Sequence, residues 1–150
     1  DHCSTRWIGK ARRCMIPQHE QPYRVWLRKA ENDLLAIRNN LNAKATPWDV
    51  VCFHAQQAVE KSLKAYLVSQ NVSPPRIHDL LVLLAACSAL DDRFSRLETD
   101  CREISAYAVG VRYPDELFEP SKDEGLRAAS AANRVVEMVK EFLSLDRNES

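Results

Sequence analysis

Between Phe53 and Leu67 the sequence reads FHAQQAVEKSLKAYL, and His54, Gln57, Lys61 and Lys64 recur in it at three- and four-residue intervals. On a helix that spacing gathers them along one strip, where an imidazole, an amide and two ammonium groups offer donors and positive charge suited to a phosphate. The alternative is a solvated face in which Glu60 pairs with Lys64 at the favourable four-residue spacing. Further along, His78 and Asp79 follow the pair Pro74 and Pro75. Asp79 can cap backbone amides at a helix start or orient an imidazole. If adjacent helices bring His54 and His78 together beside an acid, general acid–base work becomes available.

A third group lies in AYAVGVRYPDE, residues 106–116. A helix that ends at Gly110 presents Arg112 and Tyr113 where Pro114 stiffens the backbone. The guanidinium can grip phosphate bidentately while Tyr107 or Tyr113 stacks on a purine; equally, Arg112 can pair with Asp115 and Tyr113 can close the end of the fold. His2, Cys3, Cys14 and His19 can be drawn as a metal cluster, but their spacing matches no common zinc finger. The five cysteines are odd in number and contain no Cys-x-x-Cys pair, which argues for buried free thiols. No metal and no cofactor are expected, and no glycine-rich phosphate loop is present.

The elements that must carry these groups read as helices. Trp26, Leu27, Ala30, Leu34, Ile37 and Leu41 form an apolar stripe over Pro22 to Leu41. Thr46 before Pro47, with Asp49 in the first turn, predicts a second helix from Pro47 to about Ser69, its core side set by Val51, Ala55, Val59, Leu63 and Tyr66. A third, largely buried helix is predicted from Ile77 to Leu90. Asp91 and Asp92 can cap a fourth that carries Phe94, Leu97, Cys101, Ile104, Ala108 and Val109; the segment from Arg112 to Pro120 is expected to be a loop. Ser121 opens a last helix with a stripe through Leu126, Ala129, Ala132, Val135, Val136, Val139 and Leu143.

With 150 residues, 45% of them hydrophobic and only three glycines, the chain suits one all-α domain. Its boundaries are expected at 22–145, with a flexible leader at 1–21 and a disordered tail at 146–150. Helical patterning begins only after Met15, so residues 1–14 read as non-native or as a mis-assigned start. Lysine plus arginine and aspartate plus glutamate each total 21, so any attraction for a polyanion must come from a local patch. No apolar run is long enough to cross a bilayer, which predicts a cytoplasmic protein without membrane contact.

The FHAQQAVEKSLKAYL helix, the HDL at His78 to Leu80 and the RYPD loop at Arg112 to Asp115 together resemble small prokaryotic HEPN-domain proteins, over roughly residues 23–143. The resemblance implies an antiparallel up-and-down bundle of about four to five helices. It also implies a homodimer that acts with a minimal nucleotidyltransferase in a two-component, toxin–antitoxin-like system. Some HEPN proteins are ribonuclease toxins, whose signature places an arginine a few residues before a histidine. Here no histidine follows Arg112, and the last in the chain is His78. That leaves the loop without an acid–base partner for attack by a ribose 2′-hydroxyl. The expectation is therefore a non-catalytic protein that binds a nucleotide or RNA. Arg112 and Lys61 would take phosphate and Tyr113 the base or ribose, with His54, Gln57, Lys64, His78, Asp79 and Tyr107 completing the site. A ribonuclease in which His54 or His78 replaces the missing histidine is one alternative; a purely structural interaction subunit is the other.

Overall fold

The computed structural model describes residues 20–108 and 119–148, and among them every regular element is helical. Helix α1 spans Pro22–Leu41, α2 Trp48–Ser69, α3 Leu80–Leu90, α4 Glu98–Ala108 and α5 Lys122–Asn148, with a 3-10 segment at Asp92–Leu97 leading into α4. The leader up to residue 19, most of the predicted loop and the last two residues lie outside the described residues.

Helix α1 starts at Pro22, whose missing N–H costs nothing in a first turn, and it buries Ala30, Asp33, Leu34 and Ile37. Helix α2 runs antiparallel beside it: Trp26 lies over Lys64, while Asp33, two turns further along α1, meets His54 and Lys61. Helix α2 packs against all four other α-helices. Accordingly 13 of its 22 residues are buried, which makes it the axis of the bundle. Below it the rings of Tyr66, Phe94 and Phe142 pack tilted and edge to face with centroids 4.4 and 5.2 Å apart, and Leu63, Leu67, Leu97 and Ile104 are fully enclosed. Each such side chain removed from water contributes roughly 1.5–3 kcal/mol.

Several helix ends follow the sequence closely. At the start of α5 the Glu124 N–H donates to Ser121 Oγ at 3.1 Å, and the Ser121 N–H donates to Glu124 Oε1 at 2.9 Å, a reciprocal capping box. Several expectations need correction. The Thr46 hydroxyl does not cap α2; it donates to the Asn40 carbonyl, and Pro47 takes the cap position without a side-chain bond. The third helix starts at Leu80 rather than Ile77, because the Asp79 carboxylate accepts from the Leu81 and Val82 N–H groups and ends the extended approach there. That helix is also not largely buried: it lies at the edge of the bundle, and Val82 and Leu90 are about half exposed while Leu80, Leu83, Leu84 and Cys87 face the core. At the other end of the chain, α5 continues to Asn148, into the segment set apart as a tail, since no proline or glycine follows Gly125.

Cys52, Cys87 and Cys101 are free and buried. Burial pushes their thiols up to about 11 for Cys52 and about 12 for the other two, so they are packing groups and poor nucleophiles. No helix among the described residues is long and apolar enough to cross a membrane.

A Cβ placed on Gly125 would sit 2.4 Å from Trp48 Cε3, so Gly125 lets α5 pass close to the first turn of α2. Gly125→Ala should destabilise by ~1–3 kcal/mol in urea denaturation, against the ~1 kcal/mol gain that alanine brings to an open helix position. The Asp91 carboxyl is held below its ordinary value, first by its hydrogen bonds from Arg93. A lowered pKa contributes stability above the ordinary aspartate range, near pH 4, that fades as pH falls through the folded value. Wild type should therefore be more stable than Asp91→Asn at pH 7, with the gap closing in acid; a gap independent of pH would refute this assignment.

Candidate functional site

The polar face of α2 is built around two carboxylates. Asp33 on α1 accepts from Lys61 Nζ at 2.7 Å through Oδ2 and faces His54 Nδ1 at 2.9 Å through Oδ1. Glu60 on α2 accepts from Lys64 Nζ at 3.1 Å through Oε2 and faces His78 Nδ1 at 3.0 Å through Oε1. Each acid thus joins one histidine and one lysine. Their side chains are only 9% and 5% exposed, and these partners offset the cost of withdrawing a carboxylate from water. Gln56 ties the second group to the chain before α3: its amide donates to the His78 carbonyl at 2.8 Å and to Glu60 Oε1, and it accepts from Gln57.

Helical geometry explains the grouping. His54 and Lys61 are seven residues apart, two turns of α2, so both face the same stretch of α1. Gln56, Glu60 and Lys64 rise one turn at a time on the neighbouring stripe, toward the segment that delivers His78. Lys64 is the most withdrawn of the predicted cations. Its side chain is 7% exposed, paired with Glu60 and placed 5.6 Å from the Trp26 ring centroid. The Glu60–Lys64 pair that stood as the alternative to a ligand strip is therefore formed.

The remaining candidates fall in different places. Asp79 caps α3 with both of its donors from the backbone. His54 and His78 are held by separate acids and are not bonded to one another. Tyr107 lies partly buried near the end of α4; its hydroxyl donates to Glu103 at 3.0 Å and accepts from Arg127 Nε at 3.3 Å. Arg112 and Tyr113 lie outside the described residues, as do His2, Cys3, Cys14 and His19. Among the described residues no three His, Cys, Asp or Glu side chains converge as a metal site.

The ends of the chain that bound residues 109–118 can nevertheless be located. Tyr107 is joined to Arg127 in the second turn of α5, and Gly125, in the first turn, touches Trp48 at the start of α2. Both bounding helices thus meet at the end of the bundle where α2 begins, the end from which His54 is fewer than two turns away.

Sequence reasoning missed Asp33 and gave Glu60 only a lysine partner. The signal for Asp33 was present: it follows Ala30 by three residues and precedes Ile37 by four, so it stands on the apolar stripe of α1. An acid on a buried stripe calls for a cation from the neighbouring helix. The contact between Glu60 and His78 had no such signal, because 18 residues and a turn separate them.

Glu60→Leu would leave Lys64 buried without its counter-charge and should cost ~3–5 kcal/mol. Adding Lys64→Met should restore most of that loss, as measured by a double-mutant cycle in urea; a double variant as unstable as the single would show that the His78 contact dominates.

The crystal structure of TT1696 from Thermus thermophilus superposes on this bundle with a TM-score of 0.67 at 24% sequence identity, covering 81% of this chain and 98% of that one, a likeness of fold. No curated protein matches the sequence. The family model for the HEPN domain matches residues 23–142, from the first turn of α1 to the last apolar turns of α5. A bundle organised on a central helix, matched by that model along nearly its whole described length, belongs to the HEPN domain family.

Proposed function

We propose that this HEPN protein is a non-catalytic subunit that binds a nucleotide or an RNA end, as a homodimer and alongside a minimal nucleotidyltransferase. The supporting observation is the polar strip on α2. Its His54, Gln57 and Lys61 are partly exposed and held in place by fixed hydrogen bonds, which lowers the ordering cost of binding a ligand. Helices α4 and α5, which flank the segment containing Arg112 and Tyr113 in the sequence, meet at the adjoining end of the bundle. Because Asp33 offsets Lys61 and Glu60 offsets Lys64, the main phosphate contact falls to Arg112.

A second reading is favoured by the carboxylate–histidine contacts themselves. An acid on Nδ1 orients an imidazole for proton transfer at Nε2, so His54 or His78 could act as a general base in RNA cleavage.

The two readings separate in one experiment. Nucleotide-free protein titrated with ATP, GTP, their diphosphates and short RNA should show a saturable rise in melting temperature, on the order of 5–10 °C at hundredfold excess over Kd, and Arg112→Ala should abolish it. The RNA should emerge intact. Cleavage that is lost in His54→Ala or His78→Ala would establish the enzymatic reading instead, and no shift with any ligand would leave an interaction subunit.

A further inference from the structure

The hydrogen bonds on α2 determine what its polar face can offer a ligand. Asp33 and Glu60 each accept a lysine ammonium proton on one oxygen. Such a carboxylate is an acceptor on its other oxygen as well, so the facing Nδ1 atoms of His54 and His78 must be the donors. In the neutral ring the lone pair then sits on Nε2. Among the described residues Glu20 Oε2 is the one enclosed side-chain oxygen or nitrogen without a hydrogen bond. His54 Nε2, which has no hydrogen-bond partner there, is therefore open to solvent. The same bonds that set these tautomers engage Lys61 and Lys64. What a neutral His54 presents outward is thus a hydrogen-bond acceptor.

Beside it stands a large apolar group that packing does not explain. Phe53 is 45% exposed, although it belongs to the most buried helix of the bundle. Its ring lies 5.4 Å from the His54 ring at an interplanar angle of 76°, so the two rings meet edge to face and are not stacked on one another. Gln57 follows one turn later on the same side. An aromatic face next to an acceptor nitrogen is poorly suited to phosphate. It suits a flat heterocycle that carries a hydroxyl donor on its sugar.

We infer that Phe53 and His54 form a base-and-ribose subsite on α2, in which an unpaired nucleobase stacks on the Phe53 ring and His54 Nε2 accepts a hydrogen bond from the ribose 2′-hydroxyl. Asp33 is the positioning residue that fixes the His54 tautomer, with Lys61 holding Asp33. This rests on the nucleotide reading above and refines it. The base goes to α2, and Lys61 acts through Asp33 instead of on the ligand.

The test is fluorescence anisotropy with a short labelled oligoadenylate RNA and the DNA of the same sequence, using wild type, Phe53→Ala, Phe53→Trp, His54→Phe and Arg112→Ala. Melting curves confirm that each variant is folded; an exposed phenylalanine should be removable at little cost. Phe53→Ala should weaken RNA binding about tenfold, and Phe53→Trp should keep it, since stacking tolerates any broad ring. His54→Phe should erase the preference for RNA over DNA. If Arg112→Ala abolishes binding while Phe53→Ala binds like wild type, the subsite is wrong and the nucleotide reading stands. If wild type binds neither nucleic acid nor mononucleotide, both fall together.

Discussion

The burial of α2 on several sides is the constraint from which the rest of the structure follows. A helix that packs against four others must enclose most of its residues, yet this one carries Gln56, Glu60 and Lys64 on buried positions. A buried charge without a partner costs several kcal/mol, so every one of these groups has to be answered by something nearby. Glu60 and Lys64 answer each other, Gln56 closes on the His78 carbonyl, and Asp33 comes in from α1 to meet Lys61 and His54. These bonds specify the register of α1 on α2 and fix the chain before α3. An apolar interface would allow both to slide.

The same arrangement shapes the electrostatics. A chain of zero formal charge has no general field for a polyanion, and the internal pairing removes even the local excess suggested by two lysines on one helix. What survives at the surface is more specific: imidazoles oriented by buried acids, an amide and an exposed ring.

At its far edge the bundle is held differently. Helix α3 has no charged residue and exposes Val82 and Leu90, while the Arg93 guanidinium beside it covers the Phe142 ring at 4.4 Å and holds Asp91. The aromatic cluster of Tyr66, Phe94 and Phe142 anchors this end, so the polar end near the start of α2 does not have to supply the packing.

By itself the sequence determined the class and the approximate placement of the helices. The stripe through Ala30, Leu34 and Ile37 and the capping box at Ser121 and Glu124 act within a few residues, and local backbone chemistry is readable at that range. It also carried the family, because the order of three short phrases survives without any knowledge of contacts. Only the tertiary structure decided which strip of α2 faces a partner helix, and therefore that Lys61 is engaged by Asp33 and that Phe53 stays in water. The physical reason is range. A periodic pattern shows that one face of a helix is buried, but the bonds from Asp33 to Lys61 and from Glu60 to His78 span 28 and 18 residues. Their formation depends on the angle and register at which separate helices meet.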